Sequence, residues 1–117
     1  MGFTKEYRAS VEEKLTAVTM IQTKAMFGGV GIYTEGLIFA LIGEDKLYFK
    51  VDDSNRTDFE EKGMGPFYPF DSPTPMGYWE LPGGVLENPN DLKVWIDKAV
   101  AVAKAASLKK KPRVKRG

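Results

Sequence analysis

Apolar residues recur along this chain with two different periods, and the switches between them mark its elements. Tyr7, Val11, Leu15 and Val18 are spaced by four, four and three residues. That spacing predicts an amphipathic helix over 4–18, with Thr4 as N-cap and an end near Thr19. From Ile21 the pattern turns to β-branched and aromatic residues. Residues 21–34 read as one strand, and Gly28, Gly29 and Gly31 inside it predict a sharp bend or bulge. Glu35-Gly36 and Gly43-Glu44-Asp45 are short turns before 37–42 and 46–51. Such connections impose antiparallel pairing, so the three segments form a meander.

Asp52 to Asn55 offers capping side chains for a short helix over 56–62, with Phe59 as its core anchor and Gly63 ending it. Phe67-Tyr68-Pro69-Phe70 reads as a short edge strand, since Pro69 removes a ladder donor. A loop follows, and residues 76–81 form a fifth strand stopped by Pro82-Gly83-Gly84. The last helix begins at Asn88 or Asn90, with Pro89 in its first turn, and presents Leu92, Trp95, Ile96, Ala99, Val100 and Ala103 on one face. It runs to about Lys110, before Pro112. The order is α-β(3)-α-β(2)-α, which predicts an α+β, two-layer domain with a five-stranded antiparallel sheet covered by helices.

Charge divides the chain. Lys109, Lys110, Lys111, Arg113, Lys115 and Arg116 lie in the last ten residues, which hold no acid. Before Leu108, 11 basic residues stand against 16 acidic ones, a net charge of −5. Residues 1–108 therefore read as one acidic domain and 109–117 as a basic tail. The start is charged and holds no apolar run of a signal peptide, and no stretch is long enough to span a bilayer, so a cytoplasmic protein is expected.

The chemistry on offer is sparse. Cysteine and histidine are absent, which removes thiolate and imidazole nucleophiles, bases and metal ligands. The glycine cluster lacks the Lys-Ser/Thr ending of a phosphate loop and opens no helix. Asp52, Asp53 and Asn55 lack the spaced ligands of a calcium loop and read as helix caps. No enzyme, cofactor or metal is expected; a polar pocket gathering Lys24, Lys50 and Asp52 would argue otherwise.

Recognition surfaces are the better prospect. Alternation in 78–81 sends Trp79 and Leu81 to one face and Tyr78 and Glu80 to the other. If Trp79 packs on the helices, Tyr78 lies on the open face near Tyr68, and the two tyrosines become candidate partner contacts. Lys109, Lys110, Lys111 and Arg113 are the other candidates. They would hold nucleic acid without sequence preference, through the tail alone.

The ordered blocks Met26-Phe-Gly-Gly-Val-Gly-Ile-Tyr33, Phe39-Ala-Leu-Ile42, Leu47-Tyr-Phe-Lys-Val-Asp52, Asn55-Arg56, Phe59, Tyr78-Trp-Glu-Leu-Pro82 and Leu92…Trp95 carry a resemblance. The chain resembles the N-terminal domain of the TfoX/Sxy competence regulators. That resemblance implies a bacterial protein with a fold similar to secretion chaperones and no catalytic residues. It also implies non-enzymatic regulation through protein–protein contacts, with transcription machinery as the expected partner. Longer members act with a cyclic-AMP receptor protein and carry a second, helical domain. The present residues end shortly past the last helix, so coactivation through such a domain is not expected. The alternative is a chaperone-like homodimer that binds a peptide or protein partner on its sheet face.

Overall fold

The structure, a computed structural model, describes residues 3–26, 28–68 and 77–110, with only the backbone of residues 109 and 110. Helix α1 spans Lys5–Thr16, and Thr4 Oγ1 accepts the Tyr7 N–H at 3.1 Å, as an N-cap should. The Thr4 N–H donates in turn to Asp45 Oδ1 at 2.7 Å, which ties the helix start to a distant turn. Val11 and Leu15 are fully buried, and Tyr7 and Val18 pack beside them, so the 4-4-3 spacing marks the inward face.

Residues 21–34 are two strands, not one bent strand. Strand β1 (Gln22–Met26) pairs antiparallel with β2 (Gly29–Thr34), Met26 opposite Gly29 and Gln22 opposite Tyr33. The chain reverses between them at Gly28, whose φ of 80° lies in the left-handed region that glycine enters freely. The glycines thus mark a tight turn as well as a close approach. A Cβ on Gly29 would collide with the Ile42 carbonyl oxygen of the next strand.

Strand β3 (Leu37–Gly43) follows through Glu35 and Gly36, both at positive φ, the signature of a tight hairpin. Strand β4 (Lys46–Lys50) follows through Glu44 and Asp45, also both at positive φ. The pairing of β2 with β3 shifts by one residue at Phe39: Ile32 lies opposite Ala40 but Tyr33 opposite Ile38. This bulge leaves both Phe39 and Ala40 buried, and Phe39 meets Phe49 edge to face at 5.7 Å.

After β4 comes the short helix α2 (Arg56–Glu60), and then β5 (Tyr78–Glu80), which pairs antiparallel with β4. The strand expected over 67–70 falls partly outside the described residues. What is described is a single bridge from Pro66 to Trp79, with the Phe67 N–H donating to the Tyr78 carbonyl at 2.8 Å. Pro82-Gly83-Gly84 does more than stop a strand, since Gly83–Leu86 form one helical turn, α3. Helix α4 spans Pro89–Lys110, and Asn88 is the residue that caps it, Oδ1 accepting the Asp91 N–H at 3.2 Å.

The sheet order is β1-β2-β3-β4-β5, all antiparallel, so the α+β class and the five-stranded sheet stand as expected. All four helices contribute to one core against one sheet face. Val11 and Leu15 of α1, Phe59 of α2, Val85 of α3 and Leu92, Ile96, Ala99 and Ala103 of α4 meet Val30, Ile32, Phe39, Ile42, Leu47 and Phe49 there. Phe59 stands between two indoles, its ring centre 4.8 Å from that of Trp95 and 6.3 Å from that of Trp79. Beside this core, Thr23 donates to Glu12 Oε2 at 2.7 Å and accepts from Arg8 at 2.9 Å, fastening α1 to β1. The Thr23 hydroxyl, with help from Arg8, holds the Glu12 carboxyl below the usual carboxylate range.

Candidate partner-binding surface

The sheet face turned away from that core is built by the alternate residue of each strand. One row across it runs Lys24, Gly31, Leu41, Tyr48 and Glu80, each opposite the next in register. A neighbouring row carries Gln22, Tyr33 and Ile38 on one side and Lys50 and Tyr78 on the other. Lys24 is exposed, whereas Met26, Tyr33, Ile38 and Leu41 are half-buried. Gly31 lies beneath them. A Cβ added there would stand 2.8 Å from Met26 Cε, 3.1 Å from Ile38 Cδ1 and 3.2 Å from Tyr33 Cε1. Three side chains therefore close over one missing side chain, making a small apolar layer on the side that carries no described helix.

The β4–β5 half of this face is closed more tightly. Tyr48 and Phe67 pack with ring centres 4.6 Å apart, and Tyr48 is 6% exposed. Burial, then the carboxylates of Glu80 and Glu44, raise the Tyr48 phenol above its ordinary pKa. Tyr78 is only 5% exposed, with the Lys50 ammonium 4.8 Å above its ring. Burial, then Tyr33, pushes its phenol up to about 12.

This corrects the reading of Tyr78 as an exposed partner contact. The alternation is as expected, with Trp79 on the helix side and Tyr78 opposite. Exposure does not follow from it, because Gly65 to Phe67 lies along the outer edge of β5 and Lys50 covers the ring. Tyr68, by contrast, is half exposed. Lys109 and Lys110 lie in the last backbone turn of α4, while Lys111 and Arg113 fall outside the described residues. Sequence reasoning passed over Met26, Tyr33, Ile38 and Leu41; alternation would have set Ile38 and Leu41 on opposite faces, and only the bulge at Phe39 brings them to the same one.

Chemically reactive groups do not converge among the described residues. Asp52 to Asn55 form a turn, with the Ser54 N–H and hydroxyl both donating to Asp52 Oδ1 at 2.7 and 2.6 Å. Asn55 precedes α2 but its side chain does not cap it; it turns back to the strand end. A groove of about 360 Å³ lies along α4, lined by Thr19, Thr34, Glu35, Lys93, Asp97 and Lys104 among others, and not by Lys24, Lys50 or Asp52. Its charges are already matched, Lys93 with Asp97 at 2.7 Å and Lys104 with Glu35 at 3.7 Å. No group of three or more carboxylates able to hold a metal ion occurs among the described residues. None of the helices described is long and apolar enough to cross a membrane.

A family model, the TfoX N-terminal domain, matches residues 13–103. The chain belongs to the TfoX N-terminal domain family. No match was found among curated proteins. The matched TfoX segment begins inside α1, takes in all five strands and ends inside α4. The outer-face residues and Tyr68 thus lie within the TfoX domain proper, whereas Lys109, Lys110, Lys111 and Arg113 lie past it.

Proposed function

We propose that this TfoX domain is a non-enzymatic regulator that binds a protein partner through the outer face of its sheet, in transcriptional control of the competence type. The setting is the bacterial cytoplasm, and the partner is a component of the transcription machinery. The observation that carries this reading is the apolar layer of Met26, Tyr33, Ile38 and Leu41 on the side of the sheet that no described helix covers. Lys24 and Glu80 at opposite ends of one row supply a polar rim, the usual anatomy of a recognition surface. Family membership supports the regulatory class.

The reading as a chaperone-like homodimer holding a peptide on this face is weaker, because Tyr78, one of its two aromatic contacts, is packed under Lys50. Affinity capture separates the two. The full chain should retain a transcription factor or polymerase component from its own cell extract, and Leu41→Lys should release it without lowering the melting temperature. Equal retention by the variant, or retention of no such component, would defeat the proposal.

A further inference from the structure

Tyr48 is 6% exposed, yet its phenol hydroxyl makes no hydrogen bond among the described residues. An O–H that loses most of its hydration and gains no partner marks a place that a ligand can complete. Geometry shows where this hydroxyl points. The Phe67 ring packs on one side of Tyr48 with centres 4.6 Å apart, and Tyr48 Cε1 stands 4.0 Å from where a Cβ on Gly43 would lie. The ring therefore leans toward the turn of Gly43, Glu44 and Asp45. Glu80 is its direct partner in the β4–β5 register.

Two carboxylates border the hydroxyl, and neither is matched by a cation. Glu80 is half-buried and Glu44 exposed, and no ion pair engages either among the described residues. Lys46, on the same turn, pairs with neither. Elsewhere the rule is different: Glu12, Asp53, Asp58, Glu87 and Asp97 each hold a lysine or arginine. Asp45 is tied down as well, since its Oδ1 accepts the Thr4 N–H at 2.7 Å. That bond brings the start of α1, and with it Tyr7, to the same corner. The electrostatics agree with the geometry. Burial first, then Glu80 and Glu44, raise the Tyr48 phenol; burial first, then Asp45 and Glu80, raise that of Tyr7.

We propose that this corner binds an arginine side chain of the protein partner, an inference that rests on the outer-face reading above. Glu80 and Glu44 supply the charge, and the Tyr48 oxygen supplies an acceptor beside them. Acceptors on more than one side suit the five N–H donors of a planar guanidinium, whereas an ammonium is a compact point charge. No trio of acidic side chains able to hold a metal ion gathers there among the described residues, so an organic cation fits better than a hard ion. Leu41, Tyr48 and Glu80 follow one another in a single row, which sets the site against the apolar layer. One segment of the partner can fill both.

Titration of the full chain with N-acetylarginine amide, followed by amide NMR, tests this. The signals of Glu44, Tyr48 and Glu80 should shift together and saturate, while those of Gln22 and Lys24 stay in place. N-acetylcitrulline amide, nearly the same shape without the charge, should shift none of them. Glu80→Gln should weaken binding roughly tenfold. Tyr48→Phe should weaken it roughly threefold without lowering Tm, because the hydroxyl it removes bonds no described group of the free chain. Absence of a saturable shift overturns the proposal, as does equal binding of the citrulline compound or undiminished binding by either variant. Equal affinity for N-acetyllysine amide overturns the choice of arginine. Arginine binding by a chain that captures no transcription component would sink the functional reading alone. Capture indifferent to Glu80→Gln would sink the arginine site alone.

Discussion

Lys50 covers the ring of the residue it pairs with across the sheet: its Nζ lies 4.8 Å from the centre of the Tyr78 ring. The contact joins β4 to β5 outside the core and turns a residue that alternation sends outward into a buried one. Its consequence is a pH dependence. The Tyr78 phenol titrates at about 12 when folded against an ordinary 10. Between those values the unfolded chain has released a proton that the folded chain still holds, so raising the pH favours unfolding. Tyr78 should therefore contribute its stability in full below pH 10 and lose it progressively toward pH 12. Urea titrations of wild type and Tyr78→Phe across that range check this, the two curves converging in slope only if Tyr78 ionises normally.

Gly29 and Gly31 should differ in their tolerance of alanine. At Gly31 the nearest obstacle is the flexible end of Met26, which can swing away, so Gly31→Ala should cost about 1 kcal/mol or less. At Gly29 the obstacle is the backbone carbonyl of Ile42, which can move only by opening the β2–β3 ladder. Gly29→Ala should cost about 3 kcal/mol, read as a shift in the urea midpoint.

Phe59 packs edge to face on both indoles and is 1% exposed. Phe59→Ala should leave a cavity between α2, β5 and α4 and lower stability by about 3–5 kcal/mol. The tryptophan emission of the native variant should shift to the red as water reaches Trp79 and Trp95. An unchanged emission maximum would count against this packing.

Asn55 closes the turn after β4 from inside. At 3% exposure, its Oδ1 accepts the Asp52 N–H at 2.9 Å and its Nδ2 donates to the Lys50 carbonyl at 3.1 Å. Asn55→Asp keeps the acceptor, loses the donor and sets a carboxylate against that carbonyl. The expected loss is about 1–3 kcal/mol. Asp53→Ala, which removes an exposed ion pair with Arg56, should change the denaturation midpoint little.

Sequence alone determined the inward faces of α1 and α4, the N-cap at Thr4, the hairpin turns at Glu35-Gly36 and Gly43-Glu44-Asp45, and with them the α+β class, while the choice of Asn88 over Asn90 as the cap of α4 came from the structure. These are local properties, because helix periodicity, capping side chains and turn residues act within a few positions of one another. The division of 21–34 into two strands was not legible, because glycine signals a bulge and a reversal with the same letter. Only the tertiary structure decided whether an outward residue meets water. Tyr78 is sealed by Lys50 and by the Gly65–Phe67 segment, both far from it along the chain.

Val94 and Leu108 stand plainly in the sequence, yet their exposure on the back of α4 is settled only once Leu92, Ile96 and Ala99 are seen packing the other side on the core. Periodicity says which side chains travel together. Burial, a property of the assembled chain, says which of them still face outward.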